Sequence, residues 1–251
     1  MMYFSGQGKV YIGQRDVNGN PQGLTYVGNV AKLMVSPNVT TLEHQESTSG
    51  QRLVDLQLVT GKKAMFDAML EDIQSANLAL ALYGTANTVV GGVPVTGEVL
   101  PTGVTVGPLY LLKVQNVTAV SIQDSTGTPK TLPPAGYTVN AAAGSITFTD
   151  ITTGGPYVQP FKVTYTPGPS TNTIMFTQPL PERWVRFEGL NTANSNSSVI
   201  VDLYRVAMLP VKQFDLISNT LMQLELAGTT LADLGKASDP TLGIFGRIIT
   251  I

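Results

Sequence analysis

Cysteine is absent from the sequence, and histidine occurs once, as His44. The absence of cysteine excludes disulfides, zinc–thiolate sites and thiol nucleophiles. A Ser-His-Asp triad or a histidine-based metal site would have to use His44. No second histidine stands at a metal-ligand spacing from it, so a solvated or interface role is the favoured interpretation. We therefore predict no catalytic, cofactor-binding or metal-binding residues, and a protein that is not an enzyme.

Charge is also scarce. Charged residues make up 13% of the chain and the formal net charge is −2, whereas about a quarter of a typical soluble domain is charged. The acidic balance disfavours a nucleic-acid binder, which needs clustered Lys and Arg. The hydrophobic share of 43% disfavours disorder. This composition fits a subunit whose surface is largely covered by copies of itself.

Long hydrophobic runs are missing. The longest, residues 78–83, is far shorter than the roughly 18 residues that span a bilayer. Residues 1–9 lack the basic and apolar regions of a signal peptide. The sequence thus predicts no membrane partner and folding in a cytoplasm.

Gly, Thr, Val, Asn and Pro are abundant, which favours strands separated by turns. The sequence predicts a mainly β fold that begins with a hairpin of residues 9–14 and 24–35 around a turn at 16–21. A strand at 53–59, a turn at 60–62 and a strand at 63–72 follow. Later strands are predicted at 173–177, 182–189, 198–208, 219–227 and 246–251.

Residues 38–52 form a polar stretch without a clear period. A long polar connection between strands usually carries function or is disordered. We predict a loop here.

Residues 75–83 show the clearest helical pattern, with Ser75 as the capping residue and Gly84 as the left-handed end. The segment is apolar nearly all round, so we expect it to be buried. The predicted packing residues are Leu78, Leu80, Leu82 and Tyr83.

A separate β module is predicted after a loose, Gly- and Pro-containing linker at 85–107. Its short strands and turns are typical of a small sandwich. The chain is thus divided into residues 1–92, an insertion at 93–168, and residues 169–251. The predicted strands of the insertion are 109–114, 118–123, 137–139, 145–149 and 161–165.

Several segments, taken in order, resemble phage major tail proteins, the subunits of the tail tube. They are residues 3–12 (Tyr-Phe-Ser-Gly-Gln-Gly-Lys-Val-Tyr-Ile), 27–30 (Val-Gly-Asn-Val), 42–52, 53–63 and 77–84. The likeness is close over the first third of the chain and looser after residue 169. The insertion departs from the minimal tube fold.

The resemblance implies two packed sheets closing towards a barrel, with one flanking helix. On this resemblance, six subunits are expected to form a ring, and stacked rings a channel through which double-stranded DNA passes without specific binding. Tape measure and tail terminator proteins are expected partners, with a sheath protein if the tail is contractile. The protein is expected in the virion tail, after assembly in the host cytoplasm.

The resemblance also assigns residues 38–52 to a contact between rings or subunits. The predicted contact residues are Leu42, Glu43, His44, Glu46, Gln51 and Arg52. The insertion is expected on the outer face of the tube, because a module of its size would block the channel.

Two alternatives stay open. The first is the tube of a related contractile injection or secretion system, which a neighbouring sheath gene would favour. The second is a β-rich surface adhesin or carbohydrate-binding module, whose insertion would offer aromatic platforms from Tyr110, Tyr137, Tyr157 and Tyr165.

Overall fold

A computed structural model describes residues 3–251. The described chain is mainly β, with several antiparallel sheets and one seven-residue α-helix. It forms two compact units. The first combines the residues up to Ala86 with Thr173–Ile251, and the second is the segment Asn87–Asn172.

The large sheet of the first unit follows the order β2-β1-β13-β14-β15-β4-β3, and β16 also pairs with β14. Among the described strands, no pairing joins β2 to β3, so the path has two ends. Its strands are β1 (Gly6–Arg15), β2 (Pro21–Tyr26), β3 (Val30–Gln45), β4 (Val54–Leu70), β13 (Glu182–Asn191), β14 (Ser197–Leu209), β15 (Leu224–Thr230) and β16 (Gly246–Thr250).

The predicted hairpin at the start of the chain is present as β1 and β2. Asp16 shapes its turn by accepting hydrogen bonds from the backbone N–H groups of Asn18 and Asn20. Gly19, at φ 78°, supplies the left-handed residue that such turns favour. The second predicted strand is divided in two, because β2 ends at Tyr26 and β3 begins only at Val30.

The predicted loop at residues 38–52 is mostly strand. β3 and β4 pair along their length, from Val30–Leu70 to Gln45–Val54, with register shifts after Val30, Thr40 and His44. The Thr and Val residues of the polar stretch fit a two-stranded ladder, since β-branched side chains favour strands. Only residues 46–53 connect the two strands.

The predicted turn at residues 60–62 is wrong, because β4 passes through it. Gly61 lies opposite Thr40 and Val59 opposite Thr41, so Thr60 is an extra residue, a β-bulge. Between this bulge and a second one at Asp55, Leu56 and Leu58 lie on the opposite face from Phe66, Ala68 and Leu70.

The core of the first unit combines residues from both halves of the sheet path. Val10 of β1 and Val185 of β13 meet Phe66 of β4 and Leu226 of β15 in one buried cluster. Burying a side chain such as Phe66 completely is worth about 1.5–3 kcal/mol.

Helix α1 (Ser75–Ala81) is shorter than predicted. Gln74 occupies the capping position, without a side-chain cap, and Tyr83 (φ 50°) adopts the left-handed conformation expected of Gly84. The fully buried helix residues are Asn77 and Ala81. The four predicted packing residues, Leu78, Leu80, Leu82 and Tyr83, are partly exposed.

The second unit contains two three-stranded sheets, in the orders β7-β10-β9 and β6-β11-β8. Of its strands, β6 lies inside the predicted linker. The ranges are β6 (Val95–Val99), β7 (Leu109–Leu111), β8 (Val117–Gln123), β9 (Tyr137–Asn140), β10 (Ser145–Phe148) and β11 (Lys162–Pro167). Strands β5 (Thr85–Val89) and β12 (Ser170–Ile174), where the chain passes between units, pair with each other.

Both sheets of the second unit contribute to one hydrophobic core, separate from that of the first. The rings of Phe148 and Phe161 stack at 5.4 Å within it. Tyr165 is buried in this core, and Tyr110, Tyr137 and Tyr157 pack against it. These four rings therefore do not form an exposed platform.

Candidate assembly surface

The first candidate surface is the part of the β3–β4 hairpin that extends beyond its neighbour in the sheet. β15 pairs with β4 only from Ala64 to Leu70. We call residues 36–63 the arm. It contains all six predicted contact residues: Leu42, Glu43 and His44 lie on β3, and Glu46, Gln51 and Arg52 lie in the connection at the tip.

One face of the arm carries three exposed leucines. Leu42 lies opposite Leu58, and His44 lies opposite Leu56. The exposed fractions of Leu42, Leu56 and Leu58 are 60%, 49% and 49%. Within the chain these leucines cover one another only partly.

Polar side chains pair across the arm. His44 Nδ1 lies 2.6 Å from Asp55 Oδ1, and Gln57 Nε2 donates to Glu43 Oε1 at 3.2 Å. Exposed pairs of this kind are worth at most about 1 kcal/mol. The Glu43–Gln57 pair lies on the face opposite the leucines, because successive residues of a strand point to opposite faces.

Glu46 organises the tip of the arm. Its carboxylate accepts hydrogen bonds from the backbone N–H groups of Thr48 and Ser49 and from both hydroxyls. These bonds, those from Ser49 first, lower the pKa of Glu46 to about 2. Arg52 follows in a left-handed conformation, at φ 50°.

Sequence reasoning missed Leu56 and Leu58 as surface residues. Their alternation with polar residues is the same in a half-buried strand and in an exposed arm. The polarity of residues 38–45 was the signal that could have shown this exposure, because a strand so polar cannot bury Leu56 and Leu58.

A second concavity, of about 900 Å³, lies beside helix α1. Leu80 and Tyr83 line it, together with Glu182 and Arg183. The hydroxyl of Tyr83 donates to the carbonyl O of Met208 at 2.6 Å, which fixes the end of the helix on β14. Burial lowers the pKa of Arg183, and no acidic group in residues 3–251 forms an ion pair with it.

In residues 3–251, no three His, Cys, Asp or Glu side chains are grouped so that they could hold a metal ion. Within the same range, no helix has the length and apolar character to cross a membrane.

One protein family matches nearly the whole chain, including the arm and both units. The family described as "Protein of unknown function UCP028589" matches residues 3–249. The chain belongs to this family. The match extends over both units, so the segment Asn87–Asn172 lies inside the family's own range. No curated protein matches the chain.

Proposed function

We propose that this protein is the structural subunit of a phage tail tube, which assembles into stacked hexameric rings around a channel for genome delivery. The observation that carries the proposal is the arm. A lone two-stranded hairpin is marginally stable in water, yet residues 36–63 hold Leu42, Leu56 and Leu58 half exposed. Contiguous exposed apolar surface of this kind marks an interaction site.

The ends of the sheet path support the same assembly. β2 and β3 each pair with one neighbour in the path, and an unpaired strand edge is a template for another chain. In the proposed ring, pairing between copies continues the sheet around the bore. The two halves of the sheet then form the packed sheets of a barrel-like subunit, with α1 on the flank.

The remaining parts of the proposal follow from this arrangement. The net charge of −2 suits a channel along which DNA slides without binding. The insertion lies on the outer face of the tube. Tape measure and tail terminator proteins meet the ends of the stack, a sheath surrounds it if the tail is contractile, and the assembly resides in the virion tail.

Electron microscopy of the purified protein tests the proposal. We expect negative-stain images to show rings or tubes with a central channel. Leu58→Asp should abolish them, because it places a charge among the arm's leucines. The matched control is Val17→Asp, in the exposed β1–β2 turn, which should assemble normally. A wild-type chain that stays monomeric at high concentration would contradict the proposal.

A further inference from the structure

The concavity beside helix α1 contains a cation that has no counter-charge within the chain. Of the described residues that line it, Arg183 is the only basic one, and its side chain is partly buried. In residues 3–251 its guanidinium donates to a single acceptor, from Nη1 to the carbonyl O of Glu182 at 3.0 Å. A guanidinium carries five N–H donors. Most of the hydrogen-bonding capacity of Arg183 is therefore available to a ligand.

The neighbouring carboxylate of Glu182 does not neutralise this cation. Arg183 pairs with the buried Val206 and so emerges on the core face of β13, whereas Glu182, one residue earlier, emerges on the other face. There its carboxylate accepts two hydrogen bonds from Arg205, both at 2.7 Å, and lies 3.6 Å from Arg15. The one acidic side chain among the lining residues is thus committed outside the concavity.

The walls around Arg183 suit a ligand that also forms hydrogen bonds. Gln14 of β1 and Gln22 of β2 stand opposite each other, and both line the concavity. Each amide offers donors and an acceptor, and Leu80 adds apolar surface. The volume of about 900 Å³ lies within the range of small-molecule sites, about 300–1,000 Å³.

We propose that this concavity is a binding site for a carboxylate, which Arg183 holds through paired N–H···O bonds. The planar guanidinium matches the two oxygens of a carboxylate. One unpaired cation balances one negative charge, whereas a phosphate group carries close to two at neutral pH and would keep an excess. The carboxylate belongs either to a free small acid or to an Asp or Glu side chain of a second copy of this chain.

The cost of Arg183 to the unliganded protein supports a binding role. A partly buried charge that lacks a partner loses hydration without an ion pair in return. Residues that reduce stability in this way are found at sites that serve function. A bound carboxylate would supply the missing partner.

Titration with N-acetyl-glutamate α-amide, which carries a single side-chain carboxylate, tests the site. We expect the Arg183 Nε–H resonance of the intact chain to shift, and the probe to raise the melting temperature. Arg183→Gln should weaken binding at least about tenfold, measured from the resonances of the probe. The matched control is Arg52→Gln, which removes the same charge from the tip of the arm and should bind the probe normally.

Two further probes test the selectivity for a carboxylate. N-acetyl-glutamine amide has nearly the same shape without the charge, so it should bind at least about tenfold more weakly. Inorganic phosphate should also bind more weakly. Equal binding of either probe, or equal binding of N-acetyl-glutamate α-amide to Arg183→Gln and the wild type, would overturn the inference.

Thermal stability without a ligand separates binding from a purely structural role. Since Arg183 has no ion pair to lose, Arg183→Gln should melt no lower than the wild type. A markedly lower melting temperature in this variant, with no response of the wild type to the probe, would show that Arg183 only supports the fold and would refute the site.

Sedimentation with and without the probe identifies the source of the carboxylate. If the probe and Arg183→Gln both weaken self-association, the group comes from a second copy. If neither does while the probe still binds, it comes from a free acid; both results support the site. Tubes formed by a chain that does not bind the probe would refute this site alone, whereas binding by a chain that forms no tubes would refute the tube alone.

Discussion

Asp202 is the residue on which the charge pairing of the central strands depends. It is fully buried on β14 and accepts hydrogen bonds from Arg186 Nη1 at 2.9 Å and Arg247 Nε at 3.0 Å. Burial alone would lower the pKa of Arg186, but its bonds with Glu188 and Asp202 outweigh that effect and raise it. One carboxylate thus ties β13 and β16 to the strand between them.

Replacing Asp202 with Asn should lower the free energy of unfolding by about 3 kcal/mol, because two partly buried guanidinium groups lose their counter-charge. Urea denaturation followed by tryptophan fluorescence measures the change. Glu188→Gln is the matched control: its carboxylate also pairs with Arg186 but is half exposed, so the loss should stay below about 1 kcal/mol. Equal losses in both variants would refute the central role of Asp202.

The acid titration of Glu46 gives a second test at this scale. Its folded pKa of about 2 lies below the ordinary value of 4.5. The hydrogen bonds to the carboxylate therefore stabilise the tip fully above pH 4.5, and this contribution is lost as the pH falls towards 2. The amide resonances of Thr48 and Ser49 should shift with a midpoint near pH 2, and Glu46→Gln should remove the transition. A midpoint near 4.5 would contradict the bonded tip.

At the scale of elements, β1 and β13 approach each other closely because two glycines face each other. Gly8 pairs with Gly189, and a Cβ at Gly8 would lie 2.3 Å from the carbonyl O of Glu188. Gly8→Ala should cost about 1–3 kcal/mol, since the two strands must move apart. Gly127→Ala, which meets no atom within 4 Å, is the control and should be neutral in thermal melting. A neutral Gly8→Ala would show that the pair can spread freely.

Strands with clear alternation were predictable from the sequence. Residues 145–149 and 161–165 correspond closely to β10 and β11, and residues 182–189 lie within β13. The errors arose where composition misled. The polar residues of β3 suggested a loop, and Gly61 suggested a turn in what is a bulged strand. β6 was missed because Pro and Gly surround it.

The candidate surface was predictable only in part. The sequence predicted a contact segment at residues 42–52, and in the structure this segment lies at the end of one hairpin. It could not show that the stretch is a ladder with leucines from β4 on one face, because cross-strand partners depend on register. The predicted strand at 219–227 begins too early, because β15 starts at Leu224.

At the scale of the whole molecule, the second unit has its own complete core. Its eleven buried apolar residues form a cluster separate from that of the first unit. We expect residues 87–172, expressed alone, to fold cooperatively, because the excision removes no member of this cluster. A sigmoidal thermal transition and dispersed amide resonances would confirm this, and a chain without either would contradict it.

The extra residue in β4 has a consequence for how the chain length can vary. The bulge at Thr60 reverses the side on which residues 56–59 emerge, so Leu56 and Leu58 emerge away from the core face of the sheet. A deletion of that single residue would preserve composition, charge and strand pairing while transferring Leu56 and Leu58 to the other side. We therefore expect gains or losses of two residues between Leu56 and Thr60 to be tolerated better than those of one, because only an odd change moves the leucines to the other face.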